Sequence, residues 1–214
     1  RASEPAAYAA SAMLAHKIEP TQEGVAYAVF DFGGGTTDFD FGYYRLATEA
    51  EENRGIEEFF EHFESAGDKF LGGENLLENM AYLVFQHNLD KCREHRIAFT
   101  KPLDAEGFGG SEVLIDETQI ARTNTLMLMS QLRPCWEQGR FPESGVIALD
   151  LLKRDGDKVK VELAVKKDEL SDYLDNRIQQ GVRSFFTAMR NAFGANLPRQ
   201  VNILLAGNSS RSKR

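Results

Sequence analysis

Two strand-like segments separated by three consecutive glycines constrain the fold of this chain more than any other feature. Residues 25–32 are apolar and rich in side chains that favour strands, and residues 37–46 alternate aromatic with polar or small side chains. Gly33, Gly34 and Gly35 lie between the two segments. The pattern predicts a β-hairpin that is closed by a glycine turn.

Apolar periodicities in the rest of the chain predict a mixed α/β protein. We expect helices at 4–18, at 74 to about 96, from a capping box of Asp116 and Gln119 to a kink or end near Pro134, and at 168–193. We expect strands at 146–152, 159–165 and 201–206, the first two joined by a turn at 154–157. Residues 48–64 are acidic and are interpreted as an exposed segment, and 98–111 as a loop.

The composition disfavours several classes of protein. The 25 basic and 33 acidic residues give a net charge of −8, so we expect binding neither to nucleic acid nor to an anionic membrane. Hydrophobic residues make up 42%, enough for a core, and no apolar run approaches the ~18 residues of a membrane span. Only Cys92 and Cys135 are present and no signal-peptide pattern is seen, so we expect a cytoplasmic protein with reduced thiols.

The glycine segment carries the strongest chemical signal. Three successive glycines allow backbone N–H groups to converge on an anion, and the Thr36 hydroxyl adds another donor. Asp31 and Asp38 would repel a bare phosphate, so their presence on both sides predicts a divalent cation or a polarised water. The combination predicts chemistry on a metal-bound nucleotide.

Other glycine-rich motifs fit this segment poorly. A Walker loop needs a lysine and a following helix, whereas Thr36-Thr37 opens a predicted strand with no lysine nearby. The dinucleotide fingerprint also needs a following helix and a glycine where Asp38 stands. Three glycines alone would favour an ordinary turn, but the flanking aspartates and threonines favour a functional site.

Four segments, in this order, resemble motifs of the actin-like ATPase superfamily and, within it, of the seventy-kilodalton heat-shock chaperones. They are Glu4-Pro5-Ala6-Ala7 (connecting segment), Phe30 to Asp38 (second phosphate motif), Ser65 to Asn75 (Ala-Gly-Asp and Leu-Gly-Gly-Glu block) and Leu204 to Arg211 (adenosine motif). The resemblance implies an actin-like ATPase (ribonuclease H-like) lobe with an inserted α+β subdomain.

The resemblance further implies that the chain is the second lobe of a two-lobed nucleotide-binding domain. Residues 1–71 and 171–214 would form an inner ATPase subdomain, and residues 72–170 an outer capping subdomain with a helix pair and a β-hairpin. We expect a piece of a longer protein, whose first lobe and substrate-binding region are partners of this lobe together with co-chaperones.

The resemblance also assigns roles to individual residues. It implies ATP or ADP with Mg²⁺ as cofactors, Glu4, Asp31 and Thr36 as catalytic residues, and Asp31 and Asp38 at the metal. It implies nucleotide binding by a larger set: Gly33, Gly34, Gly35, Thr36, Thr37, Gly73, Glu74, Glu137, Arg140, Ser144, Gly207, Asn208, Ser209 and Arg211.

Several positions depart from the pattern of the chaperones. Phe141 stands where a second basic residue is usual, Asn75 replaces Asp, and Ala206 replaces the first glycine of the adenosine motif. Arg211 lies one residue later than expected. These departures predict altered adenine contacts in a divergent relative.

The functional expectation follows from the presence of one lobe of a two-lobed nucleotide-binding domain. The parent protein would bind Mg-ATP between two lobes and hydrolyse it in a chaperone-like cycle, while the isolated chain would bind nucleotide weakly with negligible turnover. Two alternatives stay open: a pseudo-ATPase scaffold that docks partners on the acidic residues 49–64, and a small-molecule kinase of the same fold.

Overall fold

The computed structural model describes residues 4–196 and 198–213. Its helices are α1 (Glu4–Ala15), α2 (Glu49–Glu52), α3 (Gly73–His87), α4 (Leu89–Glu94), α5 (Gln119–Gln138) and α6 (Lys167–Phe193), with 3-10 turns at Gly194–Asn196 and Asn208–Arg211. Its strands are β1 (Val25–Phe32), β2 (Thr37–Leu46), β3 (Glu58–Asp68), β4 (Val146–Leu152), β5 (Lys158–Ala164) and β6 (Asn202–Ala206).

The chain divides into two compact units. Unit 1 comprises Arg1–Gly72 and Ile178–Ser210, and unit 2 comprises Gly73–Arg177 and Arg211–Arg214. The sequence analysis placed its divisions at 71/72 and 170/171. The assignment of an inner ATPase role to one part and an outer capping role to the other stays a prediction.

A four-stranded mixed sheet forms the centre of unit 1, in the order β3-β2-β1-β6. β1 and β2 are antiparallel, β2 and β3 are antiparallel, and β6 runs parallel to β1 on its other side. The chain is therefore a mixed α/β protein, as the sequence predicts. The hairpin of β1 and β2 has the bounds predicted from the sequence.

Side-chain alternation gives this sheet two apolar faces. One face packs against α1 through fully buried side chains: Ala9, Met13, Tyr27 and Val29. On the other face the ring of Phe185, in α6, lies 5.3 Å from the rings of both Phe30 and Phe39, measured between centroids. The sheet is therefore covered by α1 on one side and by α6 on the other.

Unit 2 packs α3 and α5 with the two-stranded sheet of β4 and β5. The buried carboxamide of Asn124, in α5, donates to the Leu152 carbonyl and accepts from the Leu152 N–H, both at 2.8 Å. Asn88 makes the same pair of bonds with Ala164, at 2.9 and 2.8 Å. Because unpaired buried backbone groups are costly, these two side chains fix the hairpin against the helices.

The main element missed by the sequence analysis is β3. Residues 48–64, interpreted as an exposed acidic segment, contain α2 and much of β3. β3 is an edge strand that is exposed along most of its length. Glutamates therefore occupy strand positions that would be apolar in a buried strand, and this hides the two-residue period.

Two of the predicted helices end earlier than predicted. The helix predicted from 74 to about 96 is broken at Asn88, whose φ and ψ of −111° and 21° are not helical. The Asn88 side chain donates to the Val84 carbonyl and to β5, a competition with the helix that asparagine makes easily. The first helix ends at Ala15 rather than at residue 18.

The capping box predicted at Asp116 is wrong. The N-cap of α5 is Thr118, whose hydroxyl accepts from the Ala121 N–H, and Asp116 instead accepts from the Thr118 N–H at 3.0 Å. The helix continues past Pro134 to Gln138. None of the helices in the described chain combines the length and the apolar composition of a membrane-spanning segment.

Candidate functional site

The glycine turn, residues 33–36, joins β1 to β2 through a single backbone hydrogen bond. The Gly33 N–H donates to the Thr36 carbonyl at 2.9 Å. Residues opposite each other in such a pair commonly exchange two bonds, but among the described residues the bond from the Thr36 N–H to the Gly33 carbonyl is not formed. The turn is therefore only half closed by its own backbone.

Three successive amides of this turn are available to a ligand. Gly34, Gly35 and Thr36 are all exposed, and their N–H groups have no acceptor within residues 4–196 and 198–213. Adjacent unpaired N–H groups in a turn are the arrangement with which a protein backbone binds phosphate and other anions. The glycine turn therefore has the donors that an anion site requires.

The carbonyl side of the turn is supported by two further glycines. A Cβ at Gly72 would come within 2.3 Å of the Gly34 carbonyl oxygen, so the chain can approach the turn this closely only without a side chain. Gly207 has a φ of +80°, and a Cβ there would lie 2.1 Å from the Phe32 carbonyl oxygen. Both glycines are therefore required by the packing of unit 1.

Gly35 differs from these two supporting glycines. Its φ lies outside the left-handed region, and a Cβ at this position would meet no atom within 4 Å. Neither backbone conformation nor packing within unit 1 requires glycine at this position. Close approach of a ligand to the backbone is one physical reason for a glycine at such a position.

Two carboxylates lie beside the turn on one face of the sheet. Asp31 and Asp38 are directly opposite each other in the register of β1 and β2, so their Cβ atoms are about 4.5–5.5 Å apart. The Thr36 hydroxyl donates to Asp38 Oδ2 at 3.0 Å. Asp31 is half-buried and Asp38 is exposed. The sheet thus brings together the two predicted metal ligands and the predicted catalytic threonine.

This pair of carboxylates suits magnesium better than a metal held entirely by protein. No cluster of three or more His, Cys, Asp or Glu side chains that could hold a metal occurs in the described part of the chain. Mg²⁺ commonly binds through one or two carboxylates together with substrate phosphates and water. Asp31 and Asp38, next to three amides that have no acceptor in the described chain, fit that donor set.

Two further residues, Glu4 and Thr37, were also predicted to belong to this site. The side chain of Glu4 lies outside the described residues. The Thr37 side chain is fully buried, and its hydroxyl donates to the Leu71 carbonyl. Thr37 therefore ties β2 to the segment before Gly72, and its hydroxyl is used within unit 1.

The predicted adenosine motif lies next to the glycine turn in unit 1. Gly207 and Asn208 are exposed, and the Ser209 hydroxyl donates to the Gly33 carbonyl at 2.8 Å. Residues 33 and 209 are far apart in the sequence, so this link could not be read from either motif alone. The structure thus brings the phosphate motif and part of the adenosine motif together.

The predicted nucleotide contacts of unit 2 include an ion-pair network that the sequence analysis missed. Gly73 and Glu74 begin α3, and the Glu74 carboxylate binds the Arg133 guanidinium through two hydrogen bonds of 2.8 and 3.0 Å. Arg133 also donates to Glu137, at 3.2 Å. The bonds to Glu74 and Glu137 raise the pKa of Arg133. The sequence did contain a signal for the pair of Arg133 and Glu137, because opposite charges four residues apart on a helix commonly interact.

The remaining predicted contacts of unit 2 lie near the end of α5 or shortly after it, and the Lys213 N–H donates to the Glu137 carbonyl at 3.1 Å. Arg140 is exposed just after the C-terminus of α5, where its backbone N–H donates to the Pro134 carbonyl. Within the described residues the Ser144 hydroxyl bonds to the backbone of Val146 alone. Arg211 is exposed and begins the short return of the chain to unit 2.

A buried polar cluster near the middle of β2 was also missed. Asp40 is 1% exposed, and its Oδ1 lies 2.6 Å from Nδ1 of His62 on β3. Burial raises the pKa of Asp40, while His62 and the Tyr27 hydroxyl lower it. The pKa of buried Tyr27 is raised by its own burial and by Asp40. The signal was an aspartate between two phenylalanines, in a strand buried on both faces.

Comparison with known proteins does not extend this description. The chain matches no protein-family model and no curated protein. The geometry of unit 1 by itself therefore defines the candidate site: a turn with three amides that are unpaired in the described part of the chain, a hydroxyl and two opposed carboxylates.

Proposed function

We propose that unit 1 binds the phosphate groups of ATP or ADP together with Mg²⁺. The observation that carries this proposal is the row of exposed, unpaired N–H groups at Gly34, Gly35 and Thr36 beside the carboxylates of Asp31 and Asp38. Amides alone would suit any anion. The two carboxylates favour a phosphate that carries a divalent cation, because the cation offsets their repulsion of the phosphate oxygens.

In this proposal Asp31 and Asp38 would hold Mg²⁺, and the bound ion would supply positive charge beside the phosphate oxygens. The backbone amides bind oxygens of the terminal phosphates, and the Thr36 hydroxyl donates to the same groups or to Asp38. Asp31, half-buried near the end of β1, would also orient an attacking water. These residues act by position and charge.

The proposal extends to fold and family. The glycine hairpin, its acidic flanks and the adjacent segment around Ser209 support an actin-like ATPase lobe that resembles the seventy-kilodalton heat-shock chaperones. Unit 2 would then be the inserted capping subdomain, with Glu74, Glu137, Arg140 and Ser144 toward adenosine. Phosphoryl transfer in such proteins needs charge stabilisation from a second lobe, so the 214-residue chain binds nucleotide with negligible turnover.

Calorimetric titration of the 214-residue chain tests this function. We expect binding of Mg-ATP, of Mg-ADP and of inorganic triphosphate. Asp31→Asn should weaken Mg-ATP binding by about tenfold or more, since a charge-assisted contact is lost. Metal-free triphosphate should bind D31N at least as well as the wild type, because a repelling charge has been removed.

A matched control is Asp150→Asn, which makes the same chemical change at an exposed position on β4 in unit 2. It should leave all three affinities unchanged. The proposal is contradicted if no phosphate compound binds the wild-type chain, or if D31N and D150N bind Mg-ATP equally well.

One observation favours a second candidate function, a scaffold that has lost ATPase activity and docks protein partners. The edge strand β3 exposes Phe59 and Phe63 by 37% and 41%, alongside several glutamates. A scaffold of this kind would bind its partner with the same affinity in the presence and absence of saturating Mg-ATP. An ATP-driven chaperone would show a nucleotide-dependent affinity.

A further inference from the structure

Ser209 stands in a segment predicted to contact adenosine, but the structure gives its hydroxyl a different partner. Ser209 Oγ donates to the Gly33 carbonyl oxygen at 2.8 Å, and the serine is only partly exposed. The Gly33 carbonyl is the acceptor that the Thr36 N–H would use if the hairpin turn closed with both of its bonds. The serine therefore bonds to the carbonyl that the turn itself leaves unused.

The hydrogen bond from Ser209 to Gly33 determines whether the Thr36 N–H can bind a ligand. Gly33 still donates to the Thr36 carbonyl, so the two residues are close enough for the reciprocal bond. In the described chain that bond is absent and the Thr36 N–H has no acceptor. A carbonyl oxygen can accept two hydrogen bonds, so Ser209 acts through orientation: as long as its bond holds the Gly33 carbonyl toward Ser209, the Thr36 amide stays free for a ligand.

Peptide geometry extends the effect to the neighbouring amide. The C=O and N–H of a trans peptide lie in one plane and point in opposite directions, and no peptide bond among the described residues is cis. Fixing the Gly33 carbonyl toward Ser209 therefore directs the Gly34 N–H to the opposite side.

We propose that Ser209 is a positioning residue that keeps the glycine turn in its phosphate-binding form by taking the Gly33 carbonyl away from the Thr36 N–H. This inference rests on the proposed phosphate site, and it gives Ser209 a role that does not depend on adenosine. The ligand concerned is the phosphate chain of a nucleotide. Loss of Ser209 should therefore lower the affinity for inorganic triphosphate as much as the affinity for ATP.

The test compares Ser209→Ala with the wild type in the 214-residue chain, using Mg-ATP and Mg-triphosphate as probes. We expect S209A to bind both probes more weakly by the same factor, about fivefold for one lost hydrogen bond. Hydrogen exchange at the Thr36 amide should become slower in S209A, because the Gly33 carbonyl is released to accept from it. A merely structural loss would make this exchange faster.

Two further variants sharpen the result. Ser209→Thr retains the hydroxyl and should restore both the affinities and the fast exchange at Thr36. Ser210→Ala removes the neighbouring hydroxyl, which bonds to the Gly207 carbonyl within its own segment, at 2.6 Å, and it should behave as the wild type.

Each of the other outcomes overturns a defined part of the account. If S209A weakens Mg-ATP but not Mg-triphosphate, Ser209 acts on adenosine and the positioning role is wrong. If S209A leaves both affinities and the Thr36 exchange unchanged, the positioning role is also wrong, while the phosphate site stands. If the wild type binds neither probe, the proposed function fails and the role of Ser209 in phosphate binding fails with it.

Discussion

The two hairpin turns of this protein use their backbone amides in opposite ways. In unit 2 the turn at 153–157 pairs most of its donors: the Gly156 N–H bonds to the Lys153 carbonyl at 2.9 Å, and the Asp157 N–H bonds to Asp155 Oδ1 at 3.1 Å. The Lys153 N–H bonds to the Asp157 carbonyl at 2.8 Å and the Arg154 N–H to the Arg96 carbonyl at 3.2 Å, so in the described chain only the Asp155 N–H of this turn has no acceptor. In unit 1 the N–H groups of residues 34–36 have no acceptor in the described chain.

The two turns also differ in the reason why each contains a glycine. Gly156 has a φ of +91°, a conformation that other residues rarely adopt, so its identity follows from the turn itself. Gly35 has neither such a φ nor a close neighbour. The difference separates a turn that serves only to reverse the chain from a turn that presents its backbone to a ligand.

Removing a support of the glycine turn should have the largest effect on stability. The Cβ of Gly207→Ala would lie 2.1 Å from the Phe32 carbonyl oxygen and 2.6 Å from Asp31 Oδ1, in a backbone with φ of +80°. Overpacking and backbone strain together should lower the free energy of unfolding by about 3 kcal/mol. Urea denaturation measures this loss, and an unchanged midpoint would show that the turn is not supported as described.

Replacing one glycine in each turn by alanine tests the comparison directly, with a smaller effect on stability. Gly156→Ala should lower the unfolding free energy by about 1 kcal/mol and leave Mg-ATP affinity unchanged. Gly35→Ala should leave stability unchanged or raise it slightly, since its φ and surroundings accept a Cβ. It should nevertheless weaken Mg-ATP binding by about fivefold, because the methyl group crowds the amides.

Denaturation and calorimetry on the same two variants measure both quantities. The comparison breaks down if G35A binds Mg-ATP as tightly as the wild type, or if G156A loses affinity without being unfolded.

The smallest effect is the pH dependence of the unfolding free energy. It arises from Asp40, which is buried on β2 two residues beyond the exposed Asp38. Burial raises the pKa of Asp40 above its unfolded value, so its contribution to stability is present at low pH. That contribution is lost as the pH rises through the folded pKa, with a slope below about 1.4 kcal/mol per pH unit. His62 on β3 and Tyr27 on β1 face the same carboxylate.

Urea denaturation between pH 3 and pH 8 measures this dependence. The difference in unfolding free energy between Asp40→Asn and the wild type should shift in favour of D40N as the pH rises. A pH-independent difference would mean that Asp40 titrates alike in the folded and unfolded chains.

The sequence predicted local structure well where one physical cause dominates. The strands β1 and β2 have the predicted bounds, because apolar and aromatic periodicity on both sides of three glycines leaves little choice. It failed at β3, where exposure lets glutamates replace the apolar positions of a strand. It also failed at Asn88, where a side-chain bond to a distant strand interrupts the helix.

For the site, the sequence predicted which residue types belong to the glycine turn but not how the turn is held. The opposed carboxylates of Asp31 and Asp38 follow from a simple hairpin register. The link from Ser209 to Gly33 and the support by Gly72 join segments distant in sequence, and the network of Arg133 depends on the packing of two helices. Long-range contacts of this kind leave no local pattern.

The most direct test of the central claim is a titration of the ¹⁵N-labelled chain with Mg-ATP, followed by NMR at individual amides. The account predicts that the N–H signals of Gly34, Gly35 and Thr36 shift downfield on binding, while those of Gly156 and Asp157 do not move. Saturable binding that leaves the three turn amides unshifted would contradict it.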